Sequence, residues 1–380
     1  MRSLAFRGLR LPRLGAMMRS GGGFSPASLF AGGTEGAEGV WLDRSDIDTL
    51  FQDSAGATPV TASGQPVRLM LDKSQGLVLG PDLVPSAASW NGSANWTVNA
   101  AAGRATLVSS LDSNDDLTLG TLTGSRVGDL FAVSFTIESI SGGGVLISSS
   151  RASGPSAYTS AGTYTYFLSV IFMGSGALSA NISIGGVSCV ISGISVRLLP
   201  GNHAAQSTAG LTSRYQTGPD RSQYDGADDF SPTPYLPTLA GTIAVRMNST
   251  TASRVAFGSK LASNGNCYIG LASDGSLAGG IGEHGTGVIK GSADIRGVWT
   301  TGILTWNGTT VTLYQDGVTV YSAAQSGAVN TTIAMHEGGL NNNGTASSFT
   351  LGGIAQSIVL DRVMTASEIA SITNLWSTIS

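Results

Sequence analysis

The stretch TTGILTWNGTTVTLYQDGVTVYSA, residues 300–323, contains three short runs in which apolar and polar residues alternate. Alternation with a period of two is typical of a half-buried β-strand. Asn307-Gly308 and Asp316-Gly317 separate the runs, and such pairs supply the positive φ angles that a type I′ turn requires. The stretch therefore predicts a three-stranded antiparallel meander, which places this part of the chain in the all-β class.

The composition of the whole chain agrees with this class. The 380 residues include 53 glycines, and 12% of them are charged while 41% are hydrophobic. This apolar content is too high for a disordered chain, and glycine at this level suits short strands and tight turns. The net charge of −4 and the lack of a basic run after residue 20 argue against nucleic acid as a partner. The longest apolar run, residues 167–173, is too short to predict membrane insertion.

Period-two alternation also dominates residues 80–200. LFAVSFTIES, residues 130–139, is one such strand, and others follow at roughly ten-residue spacing. The pattern predicts a β-sandwich or jelly roll. Its opening, residues 83–110, resembles carbohydrate-binding-module-like jelly rolls that begin with a tryptophan-containing loop. The resemblance implies that Trp90 and Trp96 stack on sugar rings, and the alternative is that both are core or rim residues.

The end of the chain differs from the rest because it predicts a short helix. Thr365 and Glu368 have the spacing of a capping box. Ile369, Ile372 and Trp376 then recur at helical spacing. We expect this single C-terminal helix to pack its apolar side against a sheet.

Two motifs resemble concanavalin A-like domains of the laminin-G type. One is YDGADDF, residues 224–230, which precedes a strand-like run, and the other is LGGIAQSIVLDRVMTASEIASI, residues 351–372. The resemblance implies a second jelly roll over 224–380, with 201–223 as a connector. It also implies a candidate Ca²⁺ site at Asp225, Asp228 and Asp229, because hard cations take oxygen ligands. The alternative is that these aspartates cap turns.

The N-terminal region divides into an arm, residues 1–24, and a short linking module, residues 25–79. Arg7, Arg10 and Arg13 interrupt the apolar core that a secretory signal needs, so we do not expect a signal peptide. In the module, the residues around Trp41 and the runs LFQDSAGATPV (50–60) and GQPVRLMLDKS (64–74) resemble a segment of bacteriophage tail and fibre proteins. Trp41 is followed there by Asp43, Ser45 and Asp46.

The sequence contains no recognisable pair of catalytic residues. No two of the six glutamates have the strand spacing of a glycosidase pair in the C-terminal domain. The histidines have no metal spacing, and GIGEHG, residues 280–285, lacks the surrounding βαβ unit of a phosphate loop. We therefore expect no enzyme activity and no cofactor other than the candidate Ca²⁺.

Together these resemblances imply a virion surface protein of a tailed phage or gene transfer agent, as a head spike, head fibre or tail fibre. Such a protein is assembled in the bacterial cytoplasm, contacts other virion proteins through its N-terminal region, and binds host surface polysaccharide as a homo-oligomer. The alternatives are a purely structural decoration protein and a polysaccharide-degrading spike whose carboxylates come from distant strands. The candidate glycan-binding residues that separate them are Trp90, Trp96, Tyr158, Tyr268 and Trp299. Burial of these side chains favours the structural alternative, and a shared exposed groove favours glycan binding.

Overall fold

The computed structural model describes residues 24–30, 39–108, 115–150, 152–153, 155–171, 174–182, 187–261 and 264–379. They divide into two compact units. The first unit comprises 54–57 and 78–200, and the second unit comprises the other described residues. Both are built mainly of strands, which confirms the all-β class. None of the helices in the described part of the chain has the length and apolarity needed to cross a membrane.

The second unit begins with β1 (Gly39–Asp43), β2 (Leu50–Phe51) and β3 (Leu69–Met70). The first unit contains β4 (Asn91–Gly92), β5 (Trp96–Asn99), β6 (Arg104–Leu107), β7 (Leu117–Ser125), β8 (Leu130–Ser141), β9 (Val145–Ser149), β10 (Ala152–Ser153), β11 (Gly162–Val170), β12 (Gly174–Ile182) and β13 (Ser188–Leu199).

The second unit then resumes and ends with the one α-helix of the described residues. Its later elements are β14 (Ala204–Ala205), β15 (Arg214–Gln216), β16 (Arg221–Asp225), β17 (Ser231–Pro232), β18 (Gly241–Ser249), β19 (Arg254–Leu261), β20 (Asn264–Leu271), β21 (Ser276–Gly282), β22 (His284–Asp294), β23 (Thr300–Trp306), β24 (Thr310–Gln315), β25 (Val318–Ala324), β26 (His336–Glu337), β27 (Leu340–Asn342), β28 (Thr345–Ser347), β29 (Leu351–Leu360) and α1 (Ala366–Ser377). Short 3₁₀ helices span Pro26–Leu29, Ile47–Thr49, Ala87–Ser89 and Ala100–Ala102.

The first unit is one ten-stranded antiparallel sheet in the order β4-β7-β12-β9-β10-β11-β8-β13-β6-β5. In β8 the predicted alternation places Phe131, Val133, Phe135 and Ile137 in a single apolar core. Strands β5 to β9 and β11 to β13 contribute to that core, which therefore holds the unit together by burial of apolar surface.

The second unit is a sandwich of two eight-stranded sheets. The front sheet has the order β15-β16-β29-β18-β23-β24-β25, and β1 also pairs with β29. The back sheet contains β17, β26, β19, β20, β21 and β22, with β27 and β28 beside β19. Ile243 and Val245 on the inner face of β18 pack against Phe257 and Ile269 of the back sheet. A small third sheet joins β14, β3 and β2.

The predicted meander is present as β23, β24 and β25. At the second turn Asp316 and Gly317 have φ angles of 48° and 82°, as a type I′ turn requires. The first turn differs from the prediction, because only Gly308 has a positive φ there. The Asn307 side chain instead accepts hydrogen bonds from the backbone N–H groups of Thr309 and Thr310, which makes the loop longer.

Helix α1 lies on the outer face of the front sheet. It begins with a capping box, in which Glu368 N donates to Thr365 Oγ1 (3.3 Å) and Thr365 N donates to Glu368 Oε2 (2.8 Å). Its buried side chains pack on Ala244, Ile303 and Ile358 of the sheet. The helix thus covers one end of that face and leaves the other end open.

The structure divides the N-terminal half of the chain differently from the prediction. Residues 25–79 were predicted as a separate linking module, yet residues 39–53 and 58–77 belong to the second unit. Strand β1 pairs along its whole length with β29, from Gly39 opposite Leu360 to Asp43 opposite Gln356. The predicted connector 201–223 likewise supplies β14, β15 and the start of β16. The reason is burial, since Val40 and Leu42 enter the sandwich core.

Charged residues of this segment are buried and paired. Lys73 Nζ lies 2.9 Å from Asp43 Oδ2, 2.8 Å from Asp46 Oδ2 and 4.5 Å from the centre of the Trp41 ring. Asp72 accepts hydrogen bonds from the backbone N–H groups of Trp41 (2.8 Å) and Asn202 (2.7 Å). The charged residues around Trp41 therefore form a polar cluster within the second unit.

A second cluster is fully buried. Arg44 and Glu337 form an ion pair in which both side chains are 0% exposed. Arg44 also donates to Leu42 O (3.2 Å) and Ser222 Oγ (3.2 Å). Glu337 accepts from Tyr224 OH (2.8 Å) and from Ser357. This network, the Arg44–Glu337 network, ties residues from opposite ends of the chain.

Candidate functional site

The five aromatic side chains predicted to bind glycan do not form one groove. Trp90, Trp96 and Tyr158 lie in the first unit, and Tyr268 and Trp299 lie in the second. Their burial also differs.

Two of them are core residues. Trp96 is 8% exposed, and its indole N–H donates to the Asp115 carbonyl at 2.5 Å. Tyr268 is 5% exposed, and its ring fits between Gly258 and Gly280, where a β-carbon would lie 2.1 Å from Tyr268 Cβ and 2.4 Å from Tyr268 Cε1, respectively. Neither ring can present a face to a sugar without rearrangement of the core.

Two more are half-buried in the first unit. Trp90 packs against the core and donates from its indole N–H to Pro85 O at 3.3 Å. Tyr158 is stacked on Tyr164, with the two ring centres 3.9 Å apart. One face of the Tyr158 ring is therefore already occupied by another aromatic ring.

Trp299, which directly precedes β23, is the predicted aromatic residue that lines a cleft on the outer face of the front sheet. In β16, Ser222 and Tyr224 point into the core, which leaves Arg221, Gln223 and Asp225 on the outer face. These three residues lie in a row at the end of the face that α1 leaves open.

The Trp299 cleft has a volume of about 240 Å³ and is lined by Arg221, Gln223, Asn248, Trp299 and Gly353, among others. Three adjacent strands supply the floor, because Gln223 pairs with Gly353 and Gly353 with Asn248. Side chains at these positions point to one side of the sheet. The cleft thus combines an indole ring with one guanidinium group and two amide groups.

Gly353 is required for this shape. A β-carbon at position 353 would lie 2.4 Å from Arg221 Cδ and 3.1 Å from Trp299 Cη2. Only glycine therefore lets Arg221 and the Trp299 ring approach the floor together.

Hydrogen bonds hold the Arg221 guanidinium group and the backbone of Trp299 in place. Arg221 Nη1 donates to the carbonyls of Thr217 (3.1 Å), Gly218 (3.2 Å) and Pro219 (3.0 Å). The carbonyl of Trp299 accepts from Arg246 Nη1 at 3.1 Å. The cleft is therefore organised by the fold before any ligand binds.

A second cleft, the aspartate cleft, lies next to the first and shares Gln223 with it. It has a volume of about 410 Å³, and its lining includes Arg214, Asp225 and Asp229. One carboxylate oxygen from each of Asp225, Asp228 and Asp229 lies within 4.8 Å of the others. The structure thus brings together the three aspartates predicted to bind Ca²⁺.

The charges of these aspartates repel one another. Burial, and then the negative charge of Asp225, raise the pKa of Asp229 to about 6. Asp225 Oδ1 accepts the backbone N–H of Ala227 at 2.8 Å, which shapes the loop. Carboxylate oxygens are the ligands that hard divalent cations prefer, so the donor set fits such an ion.

The glutamates of the described residues have structural partners. Glu138 pairs with Arg104 (2.7 Å), and Glu368 pairs with Arg362 (2.7 Å). Glu283 accepts from Ser326 Oγ at 3.0 Å, and Glu337 belongs to the fully buried network. None of these four glutamates lines either cleft.

Sequence reasoning missed Arg221, Gln223 and Asn248. The alternation in RSQYD, residues 221–225, does indicate one polar face, and it was a usable signal. The pairing of β16, β29 and β18 that brings the three residues together is not visible in any one strand.

Comparison with known proteins supports the fold of the C-terminal part. Residues 225–370 match a laminin-G-type family model described as the concanavalin A-like lectin/glucanases superfamily. This match confirms the predicted concanavalin A-like jelly roll. No curated protein matches the chain in sequence.

Solved structures with similar regions have low sequence identity. The CBM40 of a Ruminococcus gnavus IT-sialidase bound to α2,3-sialyllactose is 19% identical over 36% of this chain and 83% of its own, with a TM-score of 0.30. A heptameric SAP-like pentraxin from Limulus polyphemus is 16% identical over 36% of this chain and 71% of its own, with a TM-score of 0.30. The NanB sialidase from Streptococcus pneumoniae is 17% identical over 36% of this chain, with a TM-score of 0.29, and only 24% of the sialidase is covered.

Proposed function

We propose that the chain is a non-catalytic carbohydrate-binding protein of a virion surface and that the Trp299 cleft is its sugar site. The observation that carries the binding part is the half-buried indole of Trp299 beside Arg221, Gln223 and Asn248. The face of an indole complements the apolar face of a pyranose ring, while amide and guanidinium groups hydrogen-bond to its hydroxyl groups. The sheet already holds these groups in position, which lowers the entropic cost of binding.

The size of the cleft favours weak binding of a short piece of polysaccharide. Its volume of about 240 Å³ is below the range of about 300–1,000 Å³ that encloses a small ligand. A single site of this kind buries little of a sugar. Several copies on one particle would bind a repetitive polysaccharide much more tightly, because later contacts become intramolecular.

The virion part of the proposal rests on the resemblance of residues 41–74 to bacteriophage tail and fibre proteins. In this proposal the N-terminal region contacts other virion proteins, and a homo-oligomer displays its cleft to host surface polysaccharide. The particle is a tailed phage or a gene transfer agent assembled in the bacterial cytoplasm. The chain then acts as a head spike, head fibre or tail fibre.

A divalent cation at the aspartate cleft is part of the same proposal. Asp225, Asp228 and Asp229 would hold it, and a bound Ca²⁺ would supply positive charge that offsets their mutual repulsion. The two clefts share Gln223, which would lie between the cation and the sugar.

A second candidate is a purely structural decoration protein. The burial of Trp96 and Tyr268 favours it, because two of the five aromatic residues predicted to bind glycan are packed in cores. A polysaccharide-degrading spike has less support, since the four described glutamates have structural partners and lie outside both clefts.

The test is binding of the purified full-length chain to an array of bacterial surface polysaccharides. We compare the native protein with Trp299→Ala, and the matched control is Val298→Ala, an exposed neighbour outside the cleft. We expect at least one polysaccharide to bind, a loss of about tenfold or more for Trp299→Ala, and little change for Val298→Ala. Absence of binding to every polysaccharide would favour the structural alternative, and binding that survives Trp299→Ala would move the sugar site elsewhere.

A further inference from the structure

The Trp299 cleft carries one charge, and it is positive. Arg221 is the charged side chain in its lining, and no carboxylate lines it. Asp225 and Asp229 line the other cleft. A ligand in the Trp299 cleft therefore contacts a guanidinium group, and no protein carboxylate in the lining neutralises it.

The hydrogen bonds of Arg221 leave part of this group unused. Nη1 is taken by the three carbonyls of residues 217–219, and Nε donates to Gln223 Oε1 at 3.1 Å. Among the described residues Nη2 donates no hydrogen bond and Arg221 forms no ion pair. The contacts that fix the guanidinium thus leave Nη2 available to an acceptor in the cleft.

The neighbouring side chains fit an acidic sugar. Asn248 Nδ2 donates to Gly297 O at 3.1 Å, which leaves its Oδ1 to accept from a sugar hydroxyl. The Trp299 ring lies close to Arg221, since both would contact a β-carbon at position 353. A sugar ring on the indole would therefore place a substituent near the guanidinium.

We propose that the sugar recognised here carries a carboxylate, as uronic and sialic acids do, and that Arg221 binds it. This inference rests on the proposed function and specifies its ligand class. An arginine that already has a fixed orientation binds a carboxylate through charge-assisted hydrogen bonds, which are about twice as strong as neutral ones. A neutral sugar would offer hydroxyl groups to Arg221 and no opposite charge.

The experiment uses the full-length chain and the polysaccharides that bind in the array. Each is tested before and after its carboxylates are reduced to alcohols with carbodiimide and borohydride. We expect reduction to weaken binding of the native protein about tenfold or more. Arg221→Gln should weaken binding to the untreated polysaccharide similarly and should be insensitive to reduction. Arg296→Gln, an exposed arginine outside the cleft, makes the same change in net charge and should keep the native preference.

A salt titration separates recognition by Arg221 from its role in holding residues 217–219. If the charge contacts the ligand, raising NaCl from about 0.05 to 0.5 M weakens native binding to the acidic polysaccharide and leaves Arg221→Gln unaffected, because exposed charge pairs are screened. Tight binding of a neutral or reduced polysaccharide through Trp299 would refute the carboxylate inference and leave the proposed function standing. No binding to any polysaccharide would refute both.

Discussion

Replacing Arg44 by methionine is the most direct test of how the N-terminal segment is attached to the second unit. The substitution keeps much of the apolar stem and removes the guanidinium, which leaves the Glu337 carboxylate buried with hydrogen bonds from Tyr224 and Ser357 only. Breaking one side of a fully buried ion pair costs about 3–5 kcal/mol, because the remaining charge is neither solvated nor paired. For a unit of this size, that loss corresponds to a fall in melting temperature of about 6–20 °C.

The assay is hydrogen–deuterium exchange of the full-length chain across a urea series, read separately from peptides of each unit. We expect the free energy of unfolding of the second unit to fall by about 3–5 kcal/mol while that of the first unit is unchanged. The matched control is Arg104→Met, which breaks the partly exposed pair with Glu138 in the first unit and should cost about 1 kcal/mol or less.

A double variant tests whether the loss of stability comes from the unpaired Glu337 carboxylate. Arg44→Met combined with Glu337→Gln removes both charges and keeps an acceptor for Tyr224. We expect it to recover at least half of the loss, because an uncharged buried group costs much less than an unpaired carboxylate. A loss of about 1 kcal/mol or less in the single variant, or no recovery in the double variant, would refute this account of the network.

Three further predictions concern the clefts. The pKa of Asp229 is raised to about 6 from its ordinary 3.8, so its protonated form stabilises the fold below pH 4, and this contribution is lost as the pH rises through about 6. Urea titrations at pH 4, 5, 6 and 7 should show that the free energy of unfolding falls with pH in the native protein and falls less in Asp229→Asn. An unchanged pH profile in Asp229→Asn would contradict this prediction. For the same reason Ca²⁺ should bind more weakly below pH 6 than at pH 7.5 in isothermal calorimetry, and Asp229→Asn should reduce the affinity at pH 7.5. Gly353→Ala should lower the free energy of unfolding by about 1–3 kcal/mol, because the added methyl group overpacks against Arg221 and Trp299. It should also weaken polysaccharide binding about as much as Trp299→Ala. Native binding by a folded Gly353→Ala protein would show that the ligand does not contact the floor of the cleft.

Local patterns in the sequence predict local structure well in this chain. The meander of residues 300–323 and the helix after Thr365 both depend on contacts between residues that are near in sequence. The turn at Asn307-Gly308 was predicted wrongly, because the Asn307 side chain accepts the hydrogen bond of the Thr309 N–H, which a type I′ turn would direct to the carbonyl of Trp306.

Pairing between distant strands could not be predicted in the same way. Period two assigns Val40 and Leu42 to a buried face, but it does not identify β29 as the partner strand. The charges of Asp43, Arg44 and Lys73 made the segment look like a solvated linker, whereas each is buried against a partner of opposite charge. The Trp299 cleft was missed for the same reason, since three strands have to pair before its residues meet.

The position of β29 at the middle of the front sheet bears on how the protein is made. β29 lies between β18 on one side and both β1 and β16 on the other, and it leaves the ribosome after every other strand of the second unit. The first unit is by then fully synthesised and can fold during translation. More than three hundred residues are translated between β1 and β29, and until then β1 cannot pair with β29. Contacts so far apart in sequence form slowly. Nascent chains are therefore most open to aggregation and to chaperone binding during this interval, and slowing translation should prolong it.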